Sequence, residues 1–402
     1  MRDFLRAAQA TALGVFLCVG GAAQADLADL DAEREAAFQA VYAAPGDPAA
    51  MMRYARAAIA MRDIEPAVAT LERLLDIAPA HVAARTELAV AYFALGSNEI
   101  AAHHFRIVRA APGQSAAAQA EIDDYLARIA RRGARDQLSG SVGLGVSAVG
   151  GEDGIGGALQ LDLRWLRDLG GANANHWQTD LLARATRSGA DTASGGAVLA
   201  LRTGPVLSLD GLAYGAKLRP YVAADFSRDG DGEDETALRL GLLYMNAHSA
   251  RLTSFADLNI GRVAGEDDAR SWSALAGITF RPTARTALRL TLRRSHAERD
   301  DAASSRLTTG ARAALDHSLS LGSGPGARPV RLTGFVQLDQ IDYFETPGGR
   351  EDRLSAAGLS VRTPLRGDLF VEASARRVER DSSLSAHDDI TPVFGLLIGR
   401  TF

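Results

Sequence analysis

The spacing of hydrophobic residues divides the chain into two regions with different periods. Between about residues 29 and 132, alanine-rich segments carry larger apolar residues at intervals of three or four, which is the spacing of one face of an α-helix. Beyond about residue 140, apolar and polar residues alternate, as they do from Leu159 to Trp165. A period of two predicts β-strands with one apolar and one polar face. We therefore predict a helical region followed by an all-β region.

The β region contains about fourteen alternating segments of about ten to fifteen residues. They begin near residues 137, 156, 174, 195, 217, 235, 251, 270, 285, 304, 328, 353, 366 and 391. The connections alternate between longer acidic or glycine-rich loops, such as DGDGEDE, and mostly tight turns, such as HSA and PTA. An even strand number, two-faced strands and alternating loop lengths are typical of an antiparallel transmembrane β-barrel. A soluble β-sandwich is the alternative, but it rarely needs this many strands in one run.

The first residues of the chain have the pattern of a secretory signal peptide. Arg2 and Arg6 precede an apolar stretch that is too short to span a bilayer as a helix, and small residues end the segment at Ala25. The only cysteine, Cys18, lies inside this segment, so we expect the mature chain to have no disulfide and no thiolate metal site.

The domain prediction follows from these patterns. It comprises a signal peptide over residues 1–25, a periplasmic helical domain over residues 26–135 and an outer-membrane β-barrel over residues 136–402. The helical region precedes the first strand, which predicts that the acidic loops face outside. Trp165 and Trp177 then lie at periplasmic strand ends and Trp272 at an outer strand end, where interfacial aromatic residues are expected.

The helical region repeats itself. Ala67 and Ala101 are 34 positions apart, as are Leu71 and Phe105. The copy that runs from Leu88 to Phe105 resembles the tetratricopeptide repeat, in which small residues let two antiparallel helices approach each other. Flanking helices near residues 30–43 and 116–132 would cap the array, since a solenoid buries its faces only against neighbours. An ordinary helical bundle is the alternative.

The resemblance to the tetratricopeptide repeat implies a groove along the first helix of each repeat. Such grooves usually hold peptides or protein segments. The groove-facing positions of the family fall on Met52, Arg56, Ile59, Thr86, Val90 and Phe93.

The polar faces of the strands predict a charged barrel interior. Fourteen strands enclose more space than their own side chains fill, so the interior must hold water, a plug or a passenger. Both signs of charge occur in comparable amounts, and the ordinary interpretation is a solvated lumen with mutually paired residues. The charged residues predicted to line it are Asp162, Arg164, Arg239, Asp257, Arg289, Arg293, Asp339, Arg362, Glu372 and Arg376.

Composition and motifs exclude several functions. The net charge of −5 and the isoelectric point near 5.9 argue against a nucleic-acid-binding protein. His248 and Ser249 form a His–Ser pair of the kind that some outer-membrane lipid hydrolases use. A catalytic pair also needs an orienting acid and a lipid-facing site at the outer leaflet, whereas this turn is predicted on the periplasmic side. The acidic loop DGDGEDE lacks the spacing of a calcium-binding EF-hand. We therefore expect no enzymatic activity, no cofactor and no metal site.

The final strand carries a pattern that predicts barrel closure. Phe394, Leu396, Ile398 and Phe402 fall on one face, where Arg400 interrupts the apolar pattern, and small or apolar residues fall on the other face. This resembles the C-terminal signal by which outer-membrane proteins are recognised for assembly, which implies the barrel-assembly machinery as a partner. We expect this strand to close the barrel against the first strand, near residues 138–149.

The whole architecture resembles the surface lipoprotein assembly modulator family, which joins a signal peptide, periplasmic tetratricopeptide repeats and a C-terminal barrel. The residues that carry the resemblance are the repeat from Leu88 to Phe105 and the closing strand. It implies a translocation factor in the outer membrane of a Gram-negative bacterium, in contact with outer-membrane lipid. The implied partner is a surface lipoprotein or a secreted haem- or metal-scavenging protein, which the repeats engage and the barrel passes outward.

Two other functions use similar parts. Exopolysaccharide export porins also join periplasmic repeats to a barrel, but their repeat arrays are longer and a sugar conduit should be lined with stacking aromatic residues. The predicted lumen has few, Phe255 and Phe335 among them. A passive porin whose helical domain serves only as a periplasmic scaffold is the other alternative.

Overall fold

The computed structural model describes residues 29–150, 155–170, 175–187, 195–211, 215–228, 234–265, 268–321, 328–344 and 349–402. The predicted signal peptide, with Cys18, lies outside the described residues. None of the described helices is both long enough and apolar enough to cross a bilayer.

Six helices precede the strands in the described part of the chain. They are α1 (residues 29–43), α2 (Pro48–Ala60), α3 (Ile64–Ile77), α4 (Val82–Ala94), α5 (Asn98–Ala110) and α6 (Ala116–Arg132). Side chains at their N-termini define several of the starts. Asp47 accepts a hydrogen bond from the amide of Ala49, and Ser115 accepts one from the amide of Ala118. Gly96 takes a positive φ of 80° in the turn between α4 and α5, a conformation that glycine adopts without steric cost.

The helices pack through the residues that repeat along the sequence. Ala67, Ala101, Leu71 and Phe105 are all fully buried. One apolar cluster joins α2, α3 and α4, and a second joins α4, α5 and α6. A small residue followed one turn later by a large apolar one is therefore buried in both α3 and α5.

The all-β region forms fourteen strands. They are β1 (Asp136–Val149), β2 (Gly156–Asp168), β3 (His176–Arg187), β4 (Gly195–Ser208), β5 (Ala216–Arg228), β6 (Asp234–Ala247), β7 (Leu252–Ala264), β8 (Ala269–Phe280), β9 (Thr286–Arg299), β10 (Arg306–Leu321), β11 (Arg328–Tyr343), β12 (Arg350–Pro364), β13 (Leu369–Ser382) and β14 (Asp389–Thr401). Each pairs antiparallel with its sequence neighbours, and β1 pairs with β14, so the sheet is a closed barrel.

The closing seam involves the end of the chain. Gly145 of β1 lies opposite Leu397 of β14, and Gly140 and Phe402 exchange both backbone hydrogen bonds, at 3.0 and 3.1 Å. The predicted fourteen-stranded antiparallel barrel is therefore confirmed. Two strand starts differ from the prediction by three residues: β12 begins at Arg350 and β13 at Leu369. The β12 boundary was misplaced because its first residues are polar and carry no alternating apolar signal.

The two ends of the barrel differ. One end carries the helical domain and the fully described turns after β6, β8 and β12, and we call it the helical end. The opposite end is where the odd-numbered strands finish, and we call it the loop end. Trp165 and Trp177 lie toward the helical end of β2 and β3, while Trp272 lies at the loop end of β8.

The outer surface of the barrel is apolar. Leucine, isoleucine and phenylalanine side chains alternate along the strands with their side chains exposed, as in Leu238, Leu240 and Leu242 of β6. Phe394, Leu396 and Ile398 of β14 belong to the same surface, each about half exposed. A closed barrel with an apolar outer surface and polar inward positions has the architecture of an outer-membrane protein.

Candidate functional site in the barrel lumen

Ion pairs between strands that are not neighbours identify the inward face. Arg202 of β4 donates to Asp257 of β7 at 3.1 Å, and Arg293 of β9 bonds to Asp339 of β11 at 2.8 Å. Such bonds form only across the concave side of the sheet. Because residues paired across strands share a face, the register extends this assignment to every strand. All ten charged residues predicted for the lumen lie on this inward face, namely Asp162, Arg164, Arg239, Asp257, Arg289, Arg293, Asp339, Arg362, Glu372 and Arg376.

A cavity of about 770 Å³ lies against the inward faces of β1 to β9. Asp162, Arg164, Arg239, Asp257 and Arg293 contribute to its lining, so five of the predicted residues meet there. The other five predicted residues lie on the inward face of strands β9 to β13, outside this cavity.

The inward face of β2 to β7 is held together by aspartates, and we call it the paired wall. Asp180 accepts hydrogen bonds from Arg164 Nε at 2.7 Å, Arg219 Nη1 at 2.8 Å and Gln178 Nε2 at 2.7 Å. The side chain of Arg219 is only 3% exposed, and its Nη2 also donates to the backbone carbonyl of Gln178 at 2.9 Å. The positive charge of the buried Arg219 is therefore compensated by the adjacent carboxylate of Asp180.

A second aspartate organises the same wall from β7. Asp257 is 4% exposed and accepts from Arg202 and, at 2.6 Å, from the hydroxyl of Tyr221. The guanidinium of Arg202 also lies over the Tyr221 ring, 4.3 Å from its centroid. Gly241 of β6 leaves room for this ring, since a Cβ at that position would collide with it. Aromatic ring, guanidinium and carboxylate form one compact unit.

The inward face of β9 to β13 is different, and we call it the free-arginine wall. Arg293 and Arg362 are paired, with Asp339 at 2.8 Å and Glu372 at 2.6 Å. Within the part of the chain that the structure describes, no carboxylate lies at ion-pair distance from the three other arginines at its centre. These are Arg289, Arg312 and Arg376.

Each arginine that stacks on an inward aromatic ring lies close above it. The distances from guanidinium carbon to ring centroid are 4.3 Å for Arg202 on Tyr221, 3.9 Å for Arg312 on Phe335, 4.3 Å for Arg350 on Tyr343 and 4.1 Å for Arg362 on Phe370. Contacts of this kind orient the guanidinium and cover one face of the ring.

The residues predicted for a groove in the helical domain occupy several environments. Met52 is buried in the first apolar cluster, and Ile59 packs against that cluster. Val90 and Phe93 pack against the second cluster, and Phe93 meets the ring of Tyr125 edge to face at 5.4 Å.

The two polar members of that predicted set make hydrogen bonds within the helical domain. Thr86 donates to the backbone carbonyl of Val82 at 3.1 Å. Arg56 donates to Glu87 at 2.8 Å and remains well exposed. Arg56 and Glu87 therefore form a polar pair that joins α2 to α4.

The surroundings of Tyr92 and His104 in the helical domain shift the pKa values of both side chains. Burial and a hydrogen bond to Glu72 raise the pKa of Tyr92 to about 12. Burial and the nearby positive charge of Arg85 lower the pKa of His104, whose ring stacks on Tyr92 at 5.8 Å. Both shifts favour neutral side chains between α3, α4 and α5, which suits a packing role.

The helical domain touches the barrel through the turn between α2 and α3. Arg251 donates from Nε to the backbone carbonyl of Met61 at 2.7 Å, and Arg62 donates from Nε to the carbonyl of Ala250 at 3.3 Å. The amide of Ala284 donates to the carbonyl of Ala60 at 3.1 Å. We call this contact the junction. Burial there, together with the nearby Arg281, lowers the pKa of Arg62.

The helical domain is attached to the barrel rim at two distant points. Only residues 133–135 separate α6 from β1, whereas the junction lies on the turns before β7 and β9, about half-way round the ring. With ~4.8 Å between strands and a tilt of ~40°, a barrel of this strand number is roughly 28 Å across. The helical domain therefore lies across the mouth of the lumen at the helical end.

The histidine of the predicted His–Ser pair contacts a different serine. His248 Nε2 lies 2.8 Å from Ser254 Oγ, and its Nδ1 lies 3.2 Å from the side-chain amide of Asn246. Ser249 instead accepts hydrogen bonds from the amides of Arg251 and Leu252. These contacts hold the turn between β6 and β7, which carries the junction. Among the described residues, no group of three or more histidine, aspartate or glutamate side chains is placed to hold a metal ion.

Sequence reasoning did not single out several residues that organise the lumen. They are Asp180, Arg202, Arg219, Tyr221, Asp225 and Arg312. The alternation along β3, β4, β5 and β10 predicts whether these side chains face inward, but it does not predict which partner each one contacts. The junction residues Arg62 and Arg251 carried no signal, because they bond to backbone carbonyls.

No protein-family model matches the chain, and no curated protein matches it by sequence. Among solved structures, outer-membrane expressed OmpT of Vibrio cholerae is 9% identical, with 66% of this chain and 97% of that chain covered and a TM-score of 0.38. CdiB from Acinetobacter baumannii is 9% identical, with 66% and 60% covered and a TM-score of 0.38. The first TPR of Spaghetti (RPAP3), bound to an HSP90 peptide, is 17% identical, with 26% and 80% covered and a TM-score of 0.24.

Proposed function

We propose that this chain is an outer-membrane translocation factor of the surface lipoprotein assembly modulator type. The helical domain would be a short tetratricopeptide-like solenoid in the periplasm, and the barrel would pass a surface lipoprotein or a secreted haem- or metal-scavenging protein outward. The observation that carries the proposal is the position of the helical domain, which crosses the lumen mouth and is fixed to the rim at α6 and at the junction.

The proposed mechanism is capture followed by transfer. A partner held by the helical domain would already lie at the entrance of the lumen, so no diffusion step separates the two. The polar inward face would offer hydrogen bonds and charges to an extended polypeptide, while the apolar outer face contacts outer-membrane lipid. Translocation of this kind would require only binding and release, without a catalytic step, a cofactor or a metal.

A passive porin is the alternative that a specific observation favours. The lumen contains a charged cavity of about 770 Å³ among the strands β1 to β9, which suits small hydrophilic solutes. The helical domain would then be only a scaffold. Sugar export is disfavoured, because Tyr221, Phe335, Tyr343 and Phe370 each have one ring face covered by a guanidinium and unavailable for stacking on a sugar.

The test is deletion of the gene in its own host, followed by protease shaving of intact cells. We expect the lipoprotein or the secreted haem- or metal-scavenging protein encoded by a neighbouring gene to be synthesised but trapped in the periplasm, and therefore protected from protease. Complementation with the full chain should restore its exposure. A barrel that inserts normally but lacks residues 29–132 should not restore it. Unchanged surface exposure in the deletion strain, together with reduced uptake of small solutes, would overturn the translocation proposal in favour of the porin.

A further inference from the structure

We infer that the free-arginine wall is a binding site for elongated anions that carry several carboxylate or phosphate groups. Its core comprises Arg289, Arg312, Phe335 and Arg376, on four strands between β9 and β13. The inference goes beyond the proposed function, because it concerns what the lumen binds whether a protein or only small solutes pass through it.

The register places Arg289, Phe335 and Arg376 in one row across the barrel wall, with Arg312 at the neighbouring inward position of β10. Arg289 lies opposite Ala314, Ala314 opposite Phe335, Phe335 opposite Gly358, and Gly358 opposite Arg376. With ~4.8 Å between strands, the two terminal arginines each lie roughly 10 Å along the sheet from the phenyl ring. Positive groups therefore occur at both ends and at the centre of a row about five strands wide.

The central arginine is held in place by the ring beneath it. Arg312 stacks on Phe335 at 3.9 Å and donates to Gln337 Oε1 at 3.3 Å. The ring itself lies over Gly358, where a Cβ would meet it at 2.5 Å, so the absence of a side chain there allows this placement. Stacking on the face of a guanidinium leaves its edge N–H groups available to an anion.

The carboxylates of this part of the lumen already have partners. Asp339 accepts from Arg293 and Gln337, Glu372 accepts from Arg362, and Asp316 accepts from the hydroxyl of Thr333 at 2.7 Å. None of these carboxylates lies at ion-pair distance from Arg289, Arg312 or Arg376 in the described part of the chain. A ligand would therefore not have to displace an existing ion pair.

The spacing selects the class of ligand. A single small anion can touch one guanidinium, whereas an extended anion can reach two or three of them from one position. Guanidinium groups bind carboxylate and phosphate oxygens through parallel N–H donors, so either chemistry fits. Tripolyphosphate and a hexaglutamate peptide are suitable probes, because the anionic groups of the first are phosphates and those of the second are carboxylates.

The experiment is isothermal titration of each probe into the full-length protein in detergent at low salt. We expect the wild type to bind at least one probe, and the variant R289Q/R312Q/R376Q to bind it at least tenfold more weakly. Raising the salt concentration should weaken wild-type binding, since screening acts on charge–charge attraction. Heat-modifiable migration on gels shows that each variant still forms the barrel.

The matched control is D225N/R239Q, which removes one ion pair from the paired wall without changing the net charge of the lumen. We expect it to bind the probe within twofold of the wild type. No measurable binding of either probe by the wild type would overturn the inference. It would also be overturned if the triple variant bound normally, or if the control lost as much affinity as the triple variant.

Discussion

The two walls of the lumen use the same residue types and differ in what the register brings together. Arg164 of the paired wall lies directly opposite Asp180, and Asp180 lies directly opposite Arg202. On the free-arginine wall, Arg289 lies between Thr279 and Ala314, and Arg376 lies between Gly358 and Val393. The walls therefore differ in strand register, and inward-facing arginines are also more numerous on β9 to β13 than on β2 to β7.

This difference separates structural arginines from arginines that are available to a ligand. Arg164, Arg202, Arg219 and Arg239 each bond to an aspartate, so their charge is used within the wall. Arg184, toward the loop end, is the exception among the described inward arginines of β2 to β7. Removing an aspartate from the paired wall should damage the fold, whereas removing Arg289, Arg312 or Arg376 from the other wall should damage only binding.

The largest effect is expected for Asp180→Ala. The substitution leaves Arg219 buried without its counter-charge, and breaking one side of a buried pair costs about 3 kcal/mol. Arg376 is exposed and forms no ion pair with the described residues, so Arg376→Ala should change the free energy of unfolding by less than about 0.5 kcal/mol. Denaturant unfolding of the barrel in lipid vesicles measures both. Equal losses would show that the walls do not differ in this way.

An intermediate effect is expected when a side chain is added to glycine. Gly241→Ala would push Tyr221 away from Asp257, and overpacking of this kind costs about 1–3 kcal/mol. Gly358→Ala would displace Phe335, together with Arg312, and should lower tripolyphosphate affinity several-fold with a smaller loss of stability. The same unfolding and titration measurements apply. The comparison fails if Gly241→Ala weakens tripolyphosphate binding more than Gly358→Ala does.

The smallest effect is expected for Phe335→Leu. Loss of the ring removes a cation–π contact worth about 0.5–1 kcal/mol and lets Arg312 adopt other rotamers. Tripolyphosphate affinity should fall roughly twofold to fivefold, in line with that contact energy. Tyr221→Phe, which keeps its ring but loses the bond to Asp257, should leave the affinity unchanged. A reduction by both substitutions alike would indicate a general effect on the lumen.

The fold of the barrel could be predicted well from the sequence, because whether a side chain faces outward or inward depends only on its position along its own strand. Alternation along Leu238 to Tyr244 is enough to decide which side chains of β6 face outward, and the same holds for Phe394 and Ile398 in β14. Likewise, the ten charged positions predicted for the lumen lie on the inward face. Their role in binding stays a prediction.

Pairing across strands could not be predicted in the same way. Asp180 contacts Arg164 only in one register of β2 against β3. A register change of two residues keeps every side chain on the same face, so the alternation in the sequence cannot distinguish these registers. Arg312 and Phe335 lie on neighbouring strands, and their stacking depends on the open space above Gly358. In the helical domain, the position of Met52 within the repeat predicts that it faces the groove, but it does not predict whether the side chain is exposed. In the structure, Met52 is buried in the first apolar cluster.

The two-point attachment of the helical domain has a consequence for the energetics of the lumen entrance. Residues 133–135 hold α6 beside β1 at all times, so the junction with Met61 and Ala250 re-forms as an intramolecular contact at high effective concentration. A contact of a few hydrogen bonds is then sufficient to keep the domain over the mouth. A partner that bound the α2–α3 turn would compete with these hydrogen bonds, and the short link at residues 133–135 would keep the domain beside β1 while the junction was broken.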